Sequence, residues 1–331
     1  MVLNPIMGCS KCSPGCANCY AESFAARLML NPYTADKYAN VLDREKHWSG
    51  KISADFSCLS SLPRKIPKRV FVGSMSDIFH QKNRSLNIDI LFATAALFPH
   101  HTFIMLTRRA AGMHSYFTGK HTLYERKLDT PDIIHEMLRT DIRQIWLRKV
   151  PHIIRRLHRQ NQEPYQWPLP NVWLGVTVCN QAEADLKIPL LLECPASRHF
   201  VSIEPMLGSV NVAPWLSALS QKGTLPAREK GLDWVICGGE TGQSARPMHV
   251  DWARSVRDQC LKASVPFFFK GFGAWGSNGT SASHALSSSG HLRRIRSMSE
   301  CREDWACSRF HRKRHSGQCV LDDQEWCQYP V

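Results

Sequence analysis

Six short apolar runs are the feature of this sequence that most constrains its fold. They lie at residues 69–74, 102–107, 171–178, 199–204, 233–238 and 265–270. Most are apolar at consecutive positions, which is typical of strands buried on both faces of a parallel sheet. Helical stretches lie between them, most clearly at 86–97 and 251–263, where Asp251 is the expected N-cap. This alternation predicts an α/β fold, either a barrel or an open sheet, with right-handed crossovers.

Two segments interrupt this alternation, and they carry most of the charge. Residues 141–160, within an insertion at about 108–170, predict a basic helix pair, and the tail from residue 276 opens with a linker-like Ser/Gly/Asn stretch. We therefore expect a barrel domain at 1–275 and a basic, Cys-containing C-terminal extension at 276–331. The net charge is +14, of which residues 141–160 and 291–315 each contribute +5. Such basic segments favour an anionic partner such as a nucleotide or nucleic acid, or they maintain solubility.

The sequence favours a cytoplasmic protein without membrane attachment. Its longest strongly apolar stretch, residues 90–98, is far shorter than the roughly 20 residues that span a bilayer. The N-terminus lacks the basic-then-apolar pattern of a signal peptide. The oligomeric state is left open.

Thirteen cysteines are present, and four of them fall within eleven residues: Cys9, Cys12, Cys16 and Cys19. Without a signal peptide, such a cluster favours metal or redox chemistry over disulfides. The last three have the spacing C-x3-C-x2-C, and Pro14 and Gly15 permit the tight turns of a metal-binding loop. Three thiolates on a four-iron cluster leave one iron open. A structural zinc site that uses all four cysteines, or coincidence in a Cys-rich chain, are the alternatives.

The cysteine spacing, placed before an α/β barrel pattern, resembles that of radical S-adenosylmethionine (SAM) enzymes. More narrowly, the chain resembles the phage-associated radical-SAM-like proteins, a family of largely uncharacterised function. The matching blocks run in family order across residues 4–275, and a weak echo follows at 321–326. They include Asn4-Pro-Ile-Met-Gly-Cys9, Ser13-Pro-Gly-Cys16-Ala-Asn-Cys19-Tyr-Ala-Glu22, His47-Trp-Ser-Gly50, Val70-Phe-Val-Gly-Ser-Met-Ser-Asp-Ile-Phe-His80, Leu174-Gly-Val-Thr177, Ser202-Ile-Glu-Pro-Met-Leu-Gly208, Gly238-Gly-Glu-Thr-Gly242, Ala245-Arg-Pro-Met-His249 and Pro266-Phe-Phe-Phe-Lys270.

This resemblance implies a partial (β/α) barrel that holds a 4Fe–4S cluster and SAM at the carboxyl ends of its strands. Reductive cleavage of SAM would yield a 5′-deoxyadenosyl radical, with a reductant such as flavodoxin or ferredoxin as partner. The substrate is not indicated, although the charge suggests nucleotide or nucleic-acid modification or repair. The family's first cysteine is at the position of Cys9, so Cys16 and Cys19 are the firmest ligands, and the third is either Cys9 or Cys12. The family usually carries more residues before Asn4, and its ending differs from this basic tail.

The resemblance also implies roles for residues at the strand ends. Ser74 and Asp77 would hold the amino group of SAM, although Asp77 could instead cap a helix. Arg108 and Arg109 would meet the SAM carboxylate or a substrate phosphate, or simply be solvated. Thr177 would touch the SAM ribose or be a plain strand-end threonine.

A second set of candidates follows the later strands. Gly238, Gly239 and Glu240 would line the SAM site, because glycine permits close backbone approach. The candidate catalytic residues are Glu204, Arg246 and Lys270, since catalytic groups gather at the carboxyl ends of barrel strands. His249 could contact substrate or dock the following helix.

Two further hypotheses compete with an enzyme. One is a zinc- or cluster-stabilised nucleic-acid-binding protein without catalysis, and the other is a degenerate barrel that acts as an interaction module. The tail cysteines Cys301, Cys307, Cys319 and Cys327 match no tight metal-ligand spacing, so unpaired thiols are favoured there over a second metal site.

Overall fold

The computed structural model describes residues 1–63, 65–118, 167–216, 231–242 and 244–276, together with parts of the tail. Those parts are residues 284–287, 292–294, 305–312, 320–321, 324–326 and 328. The predicted basic helix pair at 141–160 lies outside the described residues, as do Cys301, Cys319, Cys327 and the side chain of Cys307. The chain divides into two compact units. Unit 1 comprises Met1–Cys12, Ala21–Gly175 and Glu193–Arg198, and unit 2 comprises Ser13–Tyr20, Val176–Leu192 and His199–Val331.

Seven strands form the principal sheet. They are β1 (Val2–Leu3), β4 (Arg69–Val72), β5 (Thr102–Thr107), β6 (Val172–Val178), β7 (Arg198–Ile203), β8 (Trp234–Gly238) and β9 (Phe267–Gly271). They lie in the order β1-β4-β5-β6-β7-β8-β9, and the pairs β1–β4, β4–β5, β7–β8 and β8–β9 are parallel. All six predicted runs are therefore strands, and the α/β fold with parallel strands is confirmed. In the described part of the chain β1 and β9 are edges, as in a partial rather than a closed barrel.

In its described residues, unit 1 contains β4, β5 and four helices. These helices are α1 (Tyr20–Leu28), α2 (Ala35–Ala39), α3 (Ser85–Leu97) and α4 (Ala110–Thr118), and two short strands, β2 (Ile6–Met7) and β3 (Ser53–Ala54), pair antiparallel. The predicted helix at 86–97 is confirmed as α3, which is buried over most of its length. The buried side chain of Asn171 fixes the end of α3 because its amide donates to the carbonyls of Ala95, Phe98 and His101.

Unit 2 contains β8, β9, α5 (Gln181–Glu193) and α6 (Val250–Ala263). Trp252, Val256 and Cys260 form a buried stripe along α6 at the predicted four-residue spacing. The prediction that Asp251 caps this helix was wrong. The helix begins one residue earlier, and His249 is the N-cap because its Nδ1 accepts from the Asp251 backbone N–H at 3.1 Å.

The described part of the tail adds short antiparallel strands to unit 2. β10 (Trp275–Gly276), β11 (His284–Ser287), β12 (Leu292–Arg294) and β13 (Trp305–Arg312) form one sheet, and β14 (Val320–Leu321) pairs with β15 (Gln324–Glu325). Beyond them the carbonyl of Trp326 accepts from the Phe269 N–H of β9 at 2.7 Å, and its buried ring packs against Phe267. Among the described residues, no helix is long and apolar enough to cross a membrane.

Candidate functional site

The four clustered cysteines lie on one short stretch of chain. Cys12 is exposed, Cys9 and Cys19 are half-buried and Cys16 is buried, and none of them forms a disulfide. The expected tight turn is present as a 3₁₀ turn at Pro14–Cys16, which the Ser13 side chain caps by accepting from the Gly15 N–H at 3.2 Å. The side chain of Cys16 is thus held at the end of a capped turn.

The donor set fits an iron–sulfur cluster in kind, because soft thiolates are the ligands that such clusters prefer. Cys9 and Cys12 belong to unit 1, whereas Cys16 and Cys19 belong to unit 2. Among the described residues, no three His, Cys, Asp or Glu side chains are gathered as a metal-ligand group. The cluster assignment therefore rests on residue type and spacing rather than on a formed ligand geometry.

In unit 1, Arg109 anchors the first part of this stretch. Its Nη2 donates to both the carbonyl and the hydroxyl of Ser10 at 2.8 Å. His80 also contacts the Ser10 hydroxyl, with Nε2 2.9 Å from Oγ, while its Nδ1 accepts from the Lys82 N–H at 3.1 Å. A neutral imidazole that accepts at Nδ1 carries its proton on Nε2, so His80 donates to Ser10. Burial, followed by the charge of Arg109, lowers the pKa of His80, which favours this neutral form. Ser10 and His80 therefore do not form a nucleophile–base pair.

Asp77, predicted to hold the SAM amino group, is a buried acceptor for the turn after β5. Its Oδ1 accepts from the Thr107 hydroxyl at 2.6 Å and the Phe79 N–H at 3.1 Å, and its Oδ2 accepts from the Arg108 N–H at 3.0 Å. Oδ2 also lies 4.0 Å from Arg109 Nε. Because protein donors occupy both carboxylate oxygens, Asp77 stabilises the β5–α4 connection and the position of Arg109.

Ser74, the other predicted ligand of the amino group, donates through its hydroxyl to Asn4 Oδ1 at 3.0 Å. The same amide oxygen accepts from the Met75 N–H at 3.2 Å. Asn4 thus links the chain after β1 to the turn after β4. Ser74 and Asp77 both lie on that turn, three residues apart. Ser74 bonds to Asn4, whereas Asp77 bonds to the turn after β5.

In unit 2, Glu240 is the buried centre of the second part of the cysteine-bearing stretch. Its Oε2 accepts from Asn18 Nδ2 at 3.0 Å and from the backbone N–H and Nε of Arg246 at 2.7 and 2.8 Å. Its Oε1 accepts from Arg246 Nη2 at 2.6 Å, and that nitrogen also donates to the Pro14 carbonyl at 3.0 Å. Burial alone would raise the pKa of Glu240, but the hydrogen bonds from Arg246 and Asn18 outweigh it and lower the pKa. Glu240 is therefore a carboxylate at neutral pH.

Glu204 and Lys270 meet at the carboxyl ends of β7 and β9. The Lys270 Nζ lies 3.1 Å from Glu204 Oε1, and the Ser202 hydroxyl donates to Oε2 at 2.9 Å. The Lys270 side chain is 64% exposed and that of Glu204 is 22% exposed, so this pair can reach a ligand. Gly238 leaves room for the pair, since a Cβ there would lie only 2.8 Å from Glu204 Oε1. Arg246, predicted as the third catalytic group, is bound to Glu240 instead.

The absence of a side chain at Gly239 lets the backbone of the neighbouring turn approach closely. A Cβ at this position would lie 2.3 Å from the Phe272 carbonyl oxygen. Its N–H donates to the Gly271 carbonyl at 2.9 Å. The two glycines therefore make room for different groups. Gly238 makes room for the Glu204 carboxylate, and Gly239 makes room for the backbone that follows β9.

Thr177 is buried on β6, and its carbonyl accepts from Lys187 Nζ at 3.1 Å. Lys187 also pairs with Glu183 at 2.7 Å, and Glu183 accepts from the Cys179 N–H at 2.8 Å. Burial raises the pKa of Glu183, but hydrogen bonds from Lys187 and Ser13 lower it further than burial raises it. Ser13 Oγ also lies 3.7 Å from Cys179 Sγ, so the residue that caps the cysteine turn contacts the end of β6.

Two other cysteines of unit 2, Cys237 and Cys260, have thiols of low reactivity. Burial, reinforced by the charge of Glu204, raises the pKa of Cys237 well above its usual range, and burial raises that of Cys260 to about 12. Since the thiolate is the reactive form, neither suits a nucleophile. His249, predicted to contact substrate or dock a helix, caps α6.

Three residues of this region had no role predicted from the sequence: Ser10, Asn18 and His80. Ser10 and Asn18 lie between clustered cysteines, so their positions were the available signal. Their partners, however, are distant in sequence; Asn18 and Glu240 are 222 residues apart.

A protein-family model described as "Protein of unknown function (DUF5131)" matches residues 1–330. The chain therefore belongs to the DUF5131 family. No curated protein and no solved structure gave a significant match.

Proposed function

We propose that this DUF5131 protein is a radical SAM-type iron–sulfur enzyme. The observation that supports this most is the anchoring of its cysteine-bearing segment in unit 2. Glu240, which follows β8, binds Asn18, and Arg246 binds the Pro14 carbonyl. Ligand sites of parallel α/β sheets lie at the carboxyl ends of the strands, and this anchor is at such an end.

In this proposal Cys16 and Cys19, with either Cys9 or Cys12, supply the thiolates that bind a 4Fe–4S cluster. When bound and reduced, the cluster supplies the electron that cleaves SAM into methionine and a 5′-deoxyadenosyl radical that abstracts hydrogen from the substrate. The chain itself positions the thiolates, binds the substrate and excludes water. An electron donor such as flavodoxin or ferredoxin completes the proposal.

Glu204 and Lys270 are the proposed substrate-binding pair. The exposed ammonium of Lys270 can bind a phosphate or another anionic group, and the Glu204 carboxylate can accept from a hydroxyl or an amine. The basic segments at 141–160 and 291–315, each of which contributes +5, also favour an anionic substrate. We therefore propose a nucleotide or nucleic acid as the substrate class. Binding of a fluorescent single-stranded oligonucleotide at about 0.2 M salt supports this class, and no binding even at low salt contradicts it.

Metal analysis after anaerobic reconstitution tests the cluster. We expect iron and sulfide in the wild-type chain and their loss in Cys16→Ala and Cys19→Ala. Comparison of Cys9→Ala with Cys12→Ala identifies the third ligand, because only one of these variants should lose the cluster. Cys58→Ala is the matched control, since Cys58 is a half-buried cysteine outside the loop. Zinc without iron would favour a zinc-stabilised binding protein, and absence of any metal would favour an interaction module.

A further inference from the structure

We infer that Glu240 and Arg246 are positioning residues, which fix the cysteine-bearing segment Ser13–Tyr20 rather than contact a ligand. Together with Asn18 they form the Glu240 cluster. The effect of these residues on the accessibility of the Cys16 thiol is independent of the proposed function. Only their effect on the loading of an iron–sulfur cluster rests on that function.

Glu240 is too enclosed and too fully bonded to serve a substrate or SAM. It is 5% exposed. Four donor atoms point at its two oxygens: Asn18 Nδ2 and the N, Nε and Nη2 atoms of Arg246. A carboxylate offers about four lone-pair sites, so little acceptor capacity is left for a ligand.

The contacts of this cluster lie on both sides of Cys16 along the chain. Arg246 Nη2 donates to the carbonyl of Pro14, two residues before Cys16. Asn18, two residues after Cys16, donates through Nδ2 both to Glu240 and to the Ser244 carbonyl, at 3.0 and 2.8 Å. The short turn that carries Cys16 is thus held at two points.

The ionic bond within the cluster makes these two points dependent on each other. Arg246 reaches Pro14 only while Glu240 orients its guanidinium, which donates to Glu240 through Nε and Nη2; the Arg246 backbone N–H donates to the same carboxylate. Hydrogen bonds in which donor and acceptor are both charged are stronger than those between neutral groups. Removal of the Glu240 charge should therefore release the Pro14 and Asn18 contacts together, and local opening of the turn should become more frequent.

The test is the rate of alkylation of individual cysteines in the full-length, iron-free chain, followed by mass spectrometry. Cys16 is only 8% exposed, so its alkylation reports opening of the turn. We expect Glu240→Gln and Arg246→Lys to raise the Cys16 rate about tenfold or more. The amide that replaces the Glu240 carboxylate turns a donor toward Asn18 or Arg246, and lysine lacks the fork that reaches Glu240 and Pro14 together.

Two controls separate positioning from general destabilisation. Asp258→Asn removes a carboxylate that pairs with Arg257 on the surface of the same unit, and it should leave the Cys16 rate unchanged. Cys260 is fully buried in that unit and reports unfolding of the core. If the Cys16 rate does not rise in Glu240→Gln, or if it rises only in parallel with that of Cys260, the inference is wrong.

A second measurement relates the cluster to the proposed function. After reconstitution, the iron content of Glu240→Gln and Arg246→Lys should fall below that of the wild type and of Asp258→Asn. If the wild-type chain binds no iron, the proposed function fails, whereas the alkylation rates still decide the role of Glu240 and Arg246.

Discussion

Adjacent glycines at the end of β8 give a sharp test of how this turn packs. Gly239→Ala places a methyl group 2.3 Å from the Phe272 carbonyl oxygen and 2.5 Å from its carbonyl carbon. Both are backbone atoms of a turn that is tied to β8 by the hydrogen bond from the Gly239 N–H to Gly271, so the turn must move. Overpacking of this kind costs about 1–3 kcal/mol, and we expect about 3 kcal/mol here because backbone rather than side chain is displaced.

Gly238→Ala should cost much less stability than Gly239→Ala, although the two glycines are adjacent. Its methyl group meets Glu204 Oε1 at 2.8 Å, and this carboxylate, the far end of a flexible side chain, can rotate away. The methyl group also approaches Lys270 Cβ to 3.2 Å, a contact that a shift of a few tenths of an ångström relieves. The ion pair with Lys270 that is then lost is partly exposed and worth about 0–1 kcal/mol. Because an unfolded chain has less conformational entropy with alanine than with glycine, the substitution also raises the free energy of unfolding by about 0.4–1 kcal/mol. We expect a net change within about 1 kcal/mol.

Equilibrium urea unfolding, followed by tryptophan fluorescence, compares the two variants directly. The free energies of unfolding of the two variants should differ by about 2 kcal/mol, with Gly239→Ala the less stable. Equal stability of the two variants, or a larger loss in Gly238→Ala, would refute the packing of this turn. Under the proposed function Gly238→Ala should still lose activity, because it displaces Glu204.

Three further substitutions test buried polar groups and charge. Asp77→Ala should cost about 3–5 kcal/mol in thermal unfolding, because the Thr107 hydroxyl and two backbone N–H groups lose their acceptor; a cost below about 1 kcal/mol would contradict that role. Asn171→Leu removes a donor to three carbonyls and should cost about 2–3 kcal/mol in urea unfolding, and an unchanged midpoint would contradict it. For Asp55 burial raises the pKa, but hydrogen bonds from Lys37 and Ser57 lower it to about 2. Its contribution, about 1 kcal/mol for so exposed a pair, is present above about pH 4 and is lost as the pH falls toward 2. The stability difference between wild type and Asp55→Asn should therefore vanish at low pH, and a difference independent of pH would contradict it.

The main sheet was largely predictable from the sequence because its strands are buried on both faces. The run at 102–107 is β5, and the run at 171–178 begins one residue early relative to β6. The strands β2 and β3 were not predicted, since two residues carry no periodicity. The cap of α6 was missed because histidine is not among the preferred N-cap residues, whereas the neighbouring aspartate is.

The sequence was enough to predict which residues form the candidate site, but not which of them bind one another. The spacing of the cysteines and the residues at strand ends pointed to the carboxyl edge of the sheet. Which charges pair depends on contacts between distant segments, such as Arg246 with Pro14 and Glu204 with Lys270. Arg246 follows β8 and Lys270 lies near the end of β9, and only the fold shows that the first pairs with Glu240 and the second with Glu204.

Formation of 5′-deoxyadenosine tests the central proposal most directly. The full-length chain is reconstituted anaerobically with iron and sulfide, reduced with dithionite and incubated with SAM, and the nucleoside products are separated by chromatography. The proposal predicts 5′-deoxyadenosine and methionine from the wild-type chain and neither from Cys16→Ala. A reconstituted wild-type chain that holds a reduced cluster and yet leaves SAM intact would contradict it.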